Sequence, residues 1–132
     1  MGHMAKQEIR SGKAASPVGP YSQGIRVGDF VFVSGQVPID PDTREIVGET
    51  IEEQTERALD NVKAILEAAG VTMADVVKTT VHLSDLGLFG RFNEVYARAF
   101  PDPKPARTTV GSTLPGPIMV EIDVVAYVPP PS

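Results

Sequence analysis

Cysteine is absent from the 132-residue chain. Its absence removes disulfides, thiolate metal ligands and a cysteine nucleophile together, and it fits a reducing compartment. Histidine is nearly absent too. Of the two, His3 falls in the opening MGHM, which reads as an expression-tag remnant, so His82 has no partner for a metal site or a triad. The GxxxxGK phosphate loop, the GxGxxG fingerprint, the GxSxG elbow and the HExxH zinc motif are all missing. Function without a bound metal or organic cofactor is expected. No apolar run approaches the ~20 residues that span a bilayer, and no signal peptide is visible, so a soluble cytoplasmic protein with no membrane partner is expected. Positive charge is in short supply, with 12 Lys and Arg against 17 Asp and Glu for a net charge of −5. Binding carried by phosphate contacts needs a basic footprint, which argues against nucleic acid as a partner.

What is present suits one loop-rich globular domain over residues 5–128, followed by a frayed tail at 129–132. The hydrophobic fraction is 42%, enough for a core, and Gly and Pro number 12 each. A domain this small leaves apolar surface hard to cover, which makes self-association an open possibility.

Ala5 to Ser11 reads as a short strand and 12–21 as a loop rich in Gly, Pro and small residues. Gly24 to Ser34 reads as a hairpin turning at Val27-Gly28-Asp29, with Phe30 to Val33 a strand buried on both faces. A helix is expected over Thr50 to Ala69. Thr50 and Glu53 make a capping-box pattern, Ala58, Leu59, Val62, Ile65, Leu66 and Ala69 form one apolar stripe, and Gly70 stops the helix. Asp75 to Ser84 alternates as a half-buried strand, with Val77, Thr79, Val81 and Leu83 on one face. A second helix over Phe89 to Phe100 would turn Phe89, Phe92, Tyr96, Ala99 and Phe100 inward before Pro101 ends it. Strands near Thr108–Ser112 and Met119–Val128 close a β-β-β-α-β-α-β-β order. This is an α+β chain whose helices pack on one face of a mixed sheet, leaving the other face for a neighbouring subunit to cover.

The last strand carries two carboxylates inside an apolar run. Ile118, Val120, Ile122, Val124 and Ala126 share one side, while Glu121 and Asp123 share the other with Met119, Val125 and Tyr127. The two acids stand about 7 Å apart along the strand. Either that face meets water and rim salt bridges, or its apolar flanks make it an interface or pocket wall. Arg107 follows Pro105-Ala106, and its guanidinium suits bidentate capture of a carboxylate or phosphate, or else a surface ion pair. Tyr21 closes a Gly-Pro-Tyr loop as packing or as a site hydroxyl. Ser34-Gly35 ends a strand where glycine permits close approach of a ligand to backbone N–H, or simply makes a turn. Asn93 is either a local hydrogen-bonder or a polar contact in a cleft.

Six stretches occur in a familiar order: GPYSQGIRVGDFVFVSGQVPIDPDT, ALDNVKAILEAAG, DVVKTTVHLSDL, FNEVYARAF, PARTTV and VEIDVVAY. From about Ala5 to Val128 the chain resembles the RidA/YjgF family of reactive-intermediate deaminases, also known as the endoribonuclease L-PSP family. The resemblance implies a chorismate-mutase-like fold with a six-stranded sheet, assembled as a homotrimer with pockets at the subunit interfaces. It also implies hydrolysis of 2-imino acids, in equilibrium with 2-enamino acids such as 2-aminoacrylate, to 2-keto acids and ammonia. Arg107 matches the arginine that grips the substrate carboxylate and Glu121 the acid that positions water. Tyr21, Ser34, Gly35 and Asn93 match pocket positions, and Asp123 matches a second acid of structural character. Thr109 stands where many members carry cysteine: a contact made through the backbone would be supplied by Thr109 as well, whereas one made through the thiol would be lost and activity with it. Two other activities remain implied by the family: a silent trimer that binds 2-keto acids, and a ribonuclease or translation inhibitor.

Overall fold

Gly28 adopts a positive φ of 57° at the tip of a tight hairpin, where a two-residue Gly-Asp link joins strands β2 (Gly24–Val27) and β3 (Phe30–Gln36). In the computed structural model, residues 5–130 are described. The expected tag remnant at 1–4 and the last two residues of the tail lie outside the described residues. Strand β1 (Gln7–Ile9) pairs with β2, and helix α1 (Ile51–Ala68) follows the hairpin. Then come β4 (Val76–Leu83), α2 (Phe89–Ala99), β5 (Ala106–Gly111) and β6 (Val120–Tyr127). The strands form one sheet in the order β1-β2-β3-β6-β4-β5. Every pair is antiparallel except β4 with β5, which α2 joins as a parallel crossover.

The α1 boundary follows the capping box. The Thr50 side chain accepts from the Glu53 N–H, while the Glu53 carboxylate accepts from the Thr50 N–H at 3.2 Å. Its apolar stripe, including Ala58, Val62, Ile65 and Leu66, is fully buried against the sheet. From the sheet come Val31, Val33, Val81, Leu83, Val120, Ile122, Val124 and Ala126, all at or near zero exposure. Three buried amides on the helix side pin the loops. Asn61 donates to the Val37 and Ile39 carbonyls, Gln54 donates to Gly48 and Pro117 carbonyls, and Gln23 donates to Ser11, Ala14 and Ala15 carbonyls. Each satisfies loop backbone that would otherwise be buried without partners.

Three expectations change. Val77 is 45% exposed while Val76 is buried, because a register shift between Val76 and Lys78 adds a residue opposite β6 and reverses the parity. Phe30 to Val33 is covered on one face only. Val31 and Val33 are buried, whereas Phe30 and Phe32 are 43% and 44% exposed with Tyr127 beside them. Phe89 lies at the start of α2 rather than beneath it and is 41% exposed. The helices therefore cover one face of the sheet, and the opposite face shows a broad band of aromatic and aliphatic side chains. No helix of the described residues is long and apolar enough to cross a membrane.

Candidate functional site

Arg107 sits on the edge strand β5, directly opposite Thr79 of β4. Thr79 is fully buried on the helix side, so Arg107 is thrown to that side as well. There its Nη1 donates to Asn93 Oδ1 at 2.8 Å, and its Cζ stands 4.7 Å from the Tyr96 ring centroid, 5.3 Å from Phe89 and 5.8 Å from Phe92. All four contacts come from one face of α2, which the i, i+3, i+4, i+7 spacing of residues 89, 92, 93 and 96 brings into line. Two residues further along β5, Thr109 points the same way, and its hydroxyl is buried with no hydrogen-bond partner among the described residues. Expected to contribute through its backbone, Thr109 also brings an unused side-chain donor to this edge.

The remaining expected residues gather on the other face. Tyr21, Phe32, Ser34, Gly35, Glu121 and Val125 line one open hollow of about 540 Å³. Ser34 and Gly35 occupy the register shift between β3 and β6, so they form a bulge rather than a plain strand end. The Ser34 hydroxyl donates to the Ser22 carbonyl at 2.6 Å and its N–H to the Gln23 carbonyl at 2.9 Å, which fixes the loop carrying Tyr21. Tyr21 is half exposed, and its hydroxyl accepts from the Val18 N–H at 3.2 Å. The Glu121 side chain lies across Gly35. A Cβ built on that glycine would fall 3.1 Å from Glu121 Cγ, 2.9 Å from Cδ, and closer still to a carboxylate oxygen. Gly35 thus leaves room for the acid, whose side chain would have to move aside for any larger residue there.

Asp123 shares the face but differs in setting. Burial raises its carboxyl above the ordinary range, against the opposing pull of His82, Lys78 and the Thr80 hydroxyl. His82 is directly opposite Glu121 across the β4–β6 ladder, and its Nδ1 shares a 2.7 Å hydrogen bond with Ser112 Oγ.

The expected residues therefore fall into two separate clusters. Arg107, Asn93 and Thr109 occupy the helix-side edge, while Tyr21, Ser34, Gly35 and Glu121 occupy the open face. Within one chain the sheet itself separates them.

Residues 11–128 match the family model described as Endoribonuclease L-PSP. The chain belongs to that family. A RutC family protein of Pyrococcus abyssi is 54% identical over 94% of this chain and 98% of its own length. The chloroplastic Reactive Intermediate Deaminase A of Arabidopsis thaliana is 43% identical over 92% of this chain and 65% of its own length. Among solved structures, Escherichia coli TdcF with bound serine superposes with a TM-score of 0.86 at 38% identity, covering 92% of this chain and 98% of that one. The two helices on a six-stranded mixed sheet are the architecture of the YjgF and L-PSP structures.

In this L-PSP family chain, further residues beyond the expected ones take part in these two clusters. Phe89 and Phe92 were expected only as core, yet both flank the guanidinium. Gln23, 4% exposed, holds the loop that leads to Tyr21. A glutamine just ahead of a strand is the available signal, since such a side chain is buried only when it has backbone to bond.

Proposed function

We propose that this protein hydrolyses small 2-imino acids, and the 2-enamino acids in equilibrium with them, to 2-keto acids and ammonia, at sites assembled between subunits of a homotrimer. The observation that carries the reading is the guanidinium of Arg107. It is stacked on aromatic rings and bonded once to Asn93, which leaves its other N–H groups for an anion. A bidentate clamp on the substrate carboxylate fixes the neighbouring imine carbon in one place. Glu121 of an adjacent protomer would orient a water toward that carbon and accept a proton as the C–O bond forms. Glu121 passes that proton to the nitrogen, giving a neutral carbinolamine. The carbinolamine hydroxyl then gives up its own proton, relayed to the amine nitrogen, as the C–N bond breaks, ammonia leaves and the carbonyl remains. Tyr21 and Thr109 contribute hydroxyls to this exchange, and Ser34 and Gly35 form the floor.

Support for the assembly comes from the exposed Phe30, Phe32 and Tyr127 on the face that also bears Glu121. A partner seated there would bring its own Arg107 edge toward that acid. Serine is the ligand named for the TdcF structure. It has the carboxylate and the small carbon frame that the clamp would take. That same fact favours a second reading, in which the trimer binds small amino or keto acids without turnover. We also propose a cytoplasmic, small-molecule role and one domain over residues 5–128, a span consistent with the family match at residues 11–128.

A coupled assay separates the readings. A pyridoxal-phosphate serine or threonine dehydratase generates the imine, and release of pyruvate or 2-oxobutyrate is timed with and without this protein. Acceleration is expected, and Arg107→Ala should cut it by roughly 30-fold or more, the cost of truncating one half of a desolvated charge pair. No acceleration by the wild type, with keto acid still bound in calorimetry, would leave the binding trimer as the answer.

A further inference from the structure

We infer that Tyr96 and Thr79 are positioning residues that fix the plane and reach of the Arg107 guanidinium. This deepens the carboxylate clamp and rests on that reading for its effect on turnover, but not for the geometry. Tyr96 is the ring nearest the guanidinium, at 4.7 Å, and is itself only 6% exposed. Its hydroxyl shares a 2.7 Å hydrogen bond with Thr79 Oγ1 in a fully buried setting. Thr79 is the residue directly opposite Arg107 in the parallel β4–β5 pair. Three residues therefore close a triangle: backbone register joins Thr79 to Arg107, a hydrogen bond joins Thr79 to Tyr96, and stacking joins Tyr96 to Arg107.

An arginine on an edge strand is otherwise free. Its long side chain loses much rotamer entropy when it is ordered, and β5 is bonded to the sheet on one side only. The rings restrict it from below. Phe92 and Phe100 flank Tyr96, with centroids 5.4 and 4.7 Å away, so the tyrosine ring is held by neighbours on both sides. The hydroxyl bond to Thr79 then fixes where the far end of the ring sits. Burial keeps the phenol neutral, which suits a surface that faces a cation without pairing its charge. Asn93 takes Nη1, and Arg107 as a whole is only half-buried. A clamp ordered before the ligand arrives binds more tightly, because less freedom is lost on binding.

The test uses Tyr96→Phe and Thr79→Val, each of which keeps shape and removes one hydroxyl. Nitrogen-15 spectra of the arginine side chains, with Arg107 assigned through Arg107→Lys, report guanidinium rotation without any ligand. The wild type should show separate, slowly exchanging Nη–H signals for Arg107, and both variants should merge them. In the coupled imine assay, KM should rise about fivefold, the effect of losing one ordinary hydrogen bond, with kcat within about twofold. The double variant should be no worse than either single one. Signals that stay separate in both variants would overturn the inference whatever the rates, as would merged signals with an unchanged KM. A wild type that hydrolyses no imine would sink the deaminase reading instead, and the spectra alone would then decide whether the triangle holds the arginine.

Discussion

At the scale of single residues, the site is set by crowding and by hydration. The Glu121 side chain occupies the space that a side chain at Gly35 would fill. Gly35→Ala should push the carboxylate off the bulge by about a methyl radius, and misplacement on that scale costs on the order of a hundredfold in kcat/KM. Circular dichroism and the thermal midpoint should change little, so a comparable loss of fold would count against this account. Asp123 gives a pH signature of opposite kind. Burial raises its carboxyl, so the folded chain holds that proton more tightly than the unfolded chain. Its contribution to stability therefore falls as pH rises from the ordinary aspartate value near ~3.9 to the raised one, and stays reduced above it. Asp123→Asn removes the titration. The gap in thermal midpoint between the variant and the wild type should widen in favour of the variant from about pH 3.5 toward neutrality, and a constant gap would refute the assignment.

Elements differ in how much of their placement is written locally. Helix α1 carries its own instructions, with a capping residue, a stripe at helical spacing and a glycine stop, and its first residue lies one position after Thr50. Thr50→Ala leaves the Glu53 N–H without its acceptor and should lower unfolding stability by about 1 kcal/mol, read from urea midpoints at unchanged slope. Strand β6 was equally plain, because strict alternation over Val120–Tyr127 separates acids from aliphatics without reference to anything else. The direction of Arg107 was not legible. Strand β5 alternates weakly, and which side its arginine takes depends on the register against β4, a pairing made possible only by the intervening helix. Val77 failed for a related reason: one inserted residue in a ladder is invisible to a period-two count. Tyr96 was readable as an inward aromatic, but its hydroxyl partner lies seventeen residues upstream on another element. Local patterns specify faces, and long-range register specifies which faces meet.

Over the whole molecule, the separation of the two residue clusters by the sheet is the dominant fact. Arg107 reaches toward the helices and Glu121 toward the uncovered face. Phe32→Asp should place a charge in the aromatic band that a partner would cover, and light scattering should show smaller particles with near-native circular dichroism and no imine hydrolysis. Mixing offers the sharper trial. Arg107→Ala and Glu121→Gln chains should each be inactive alone, yet after co-refolding in equal amounts about one quarter of the seams would hold two intact halves, with activity returning in that proportion. Silence in the mixture would mean that both groups serve a site within one chain. If the proposed shared sites exist, back-to-back placement would make each polypeptide a fraction of two catalysts and the whole of none. Specific activity would then depend on protein concentration: steady while the ring is saturated, and collapsing on dilution below the point where it comes apart, even though every chain remains folded.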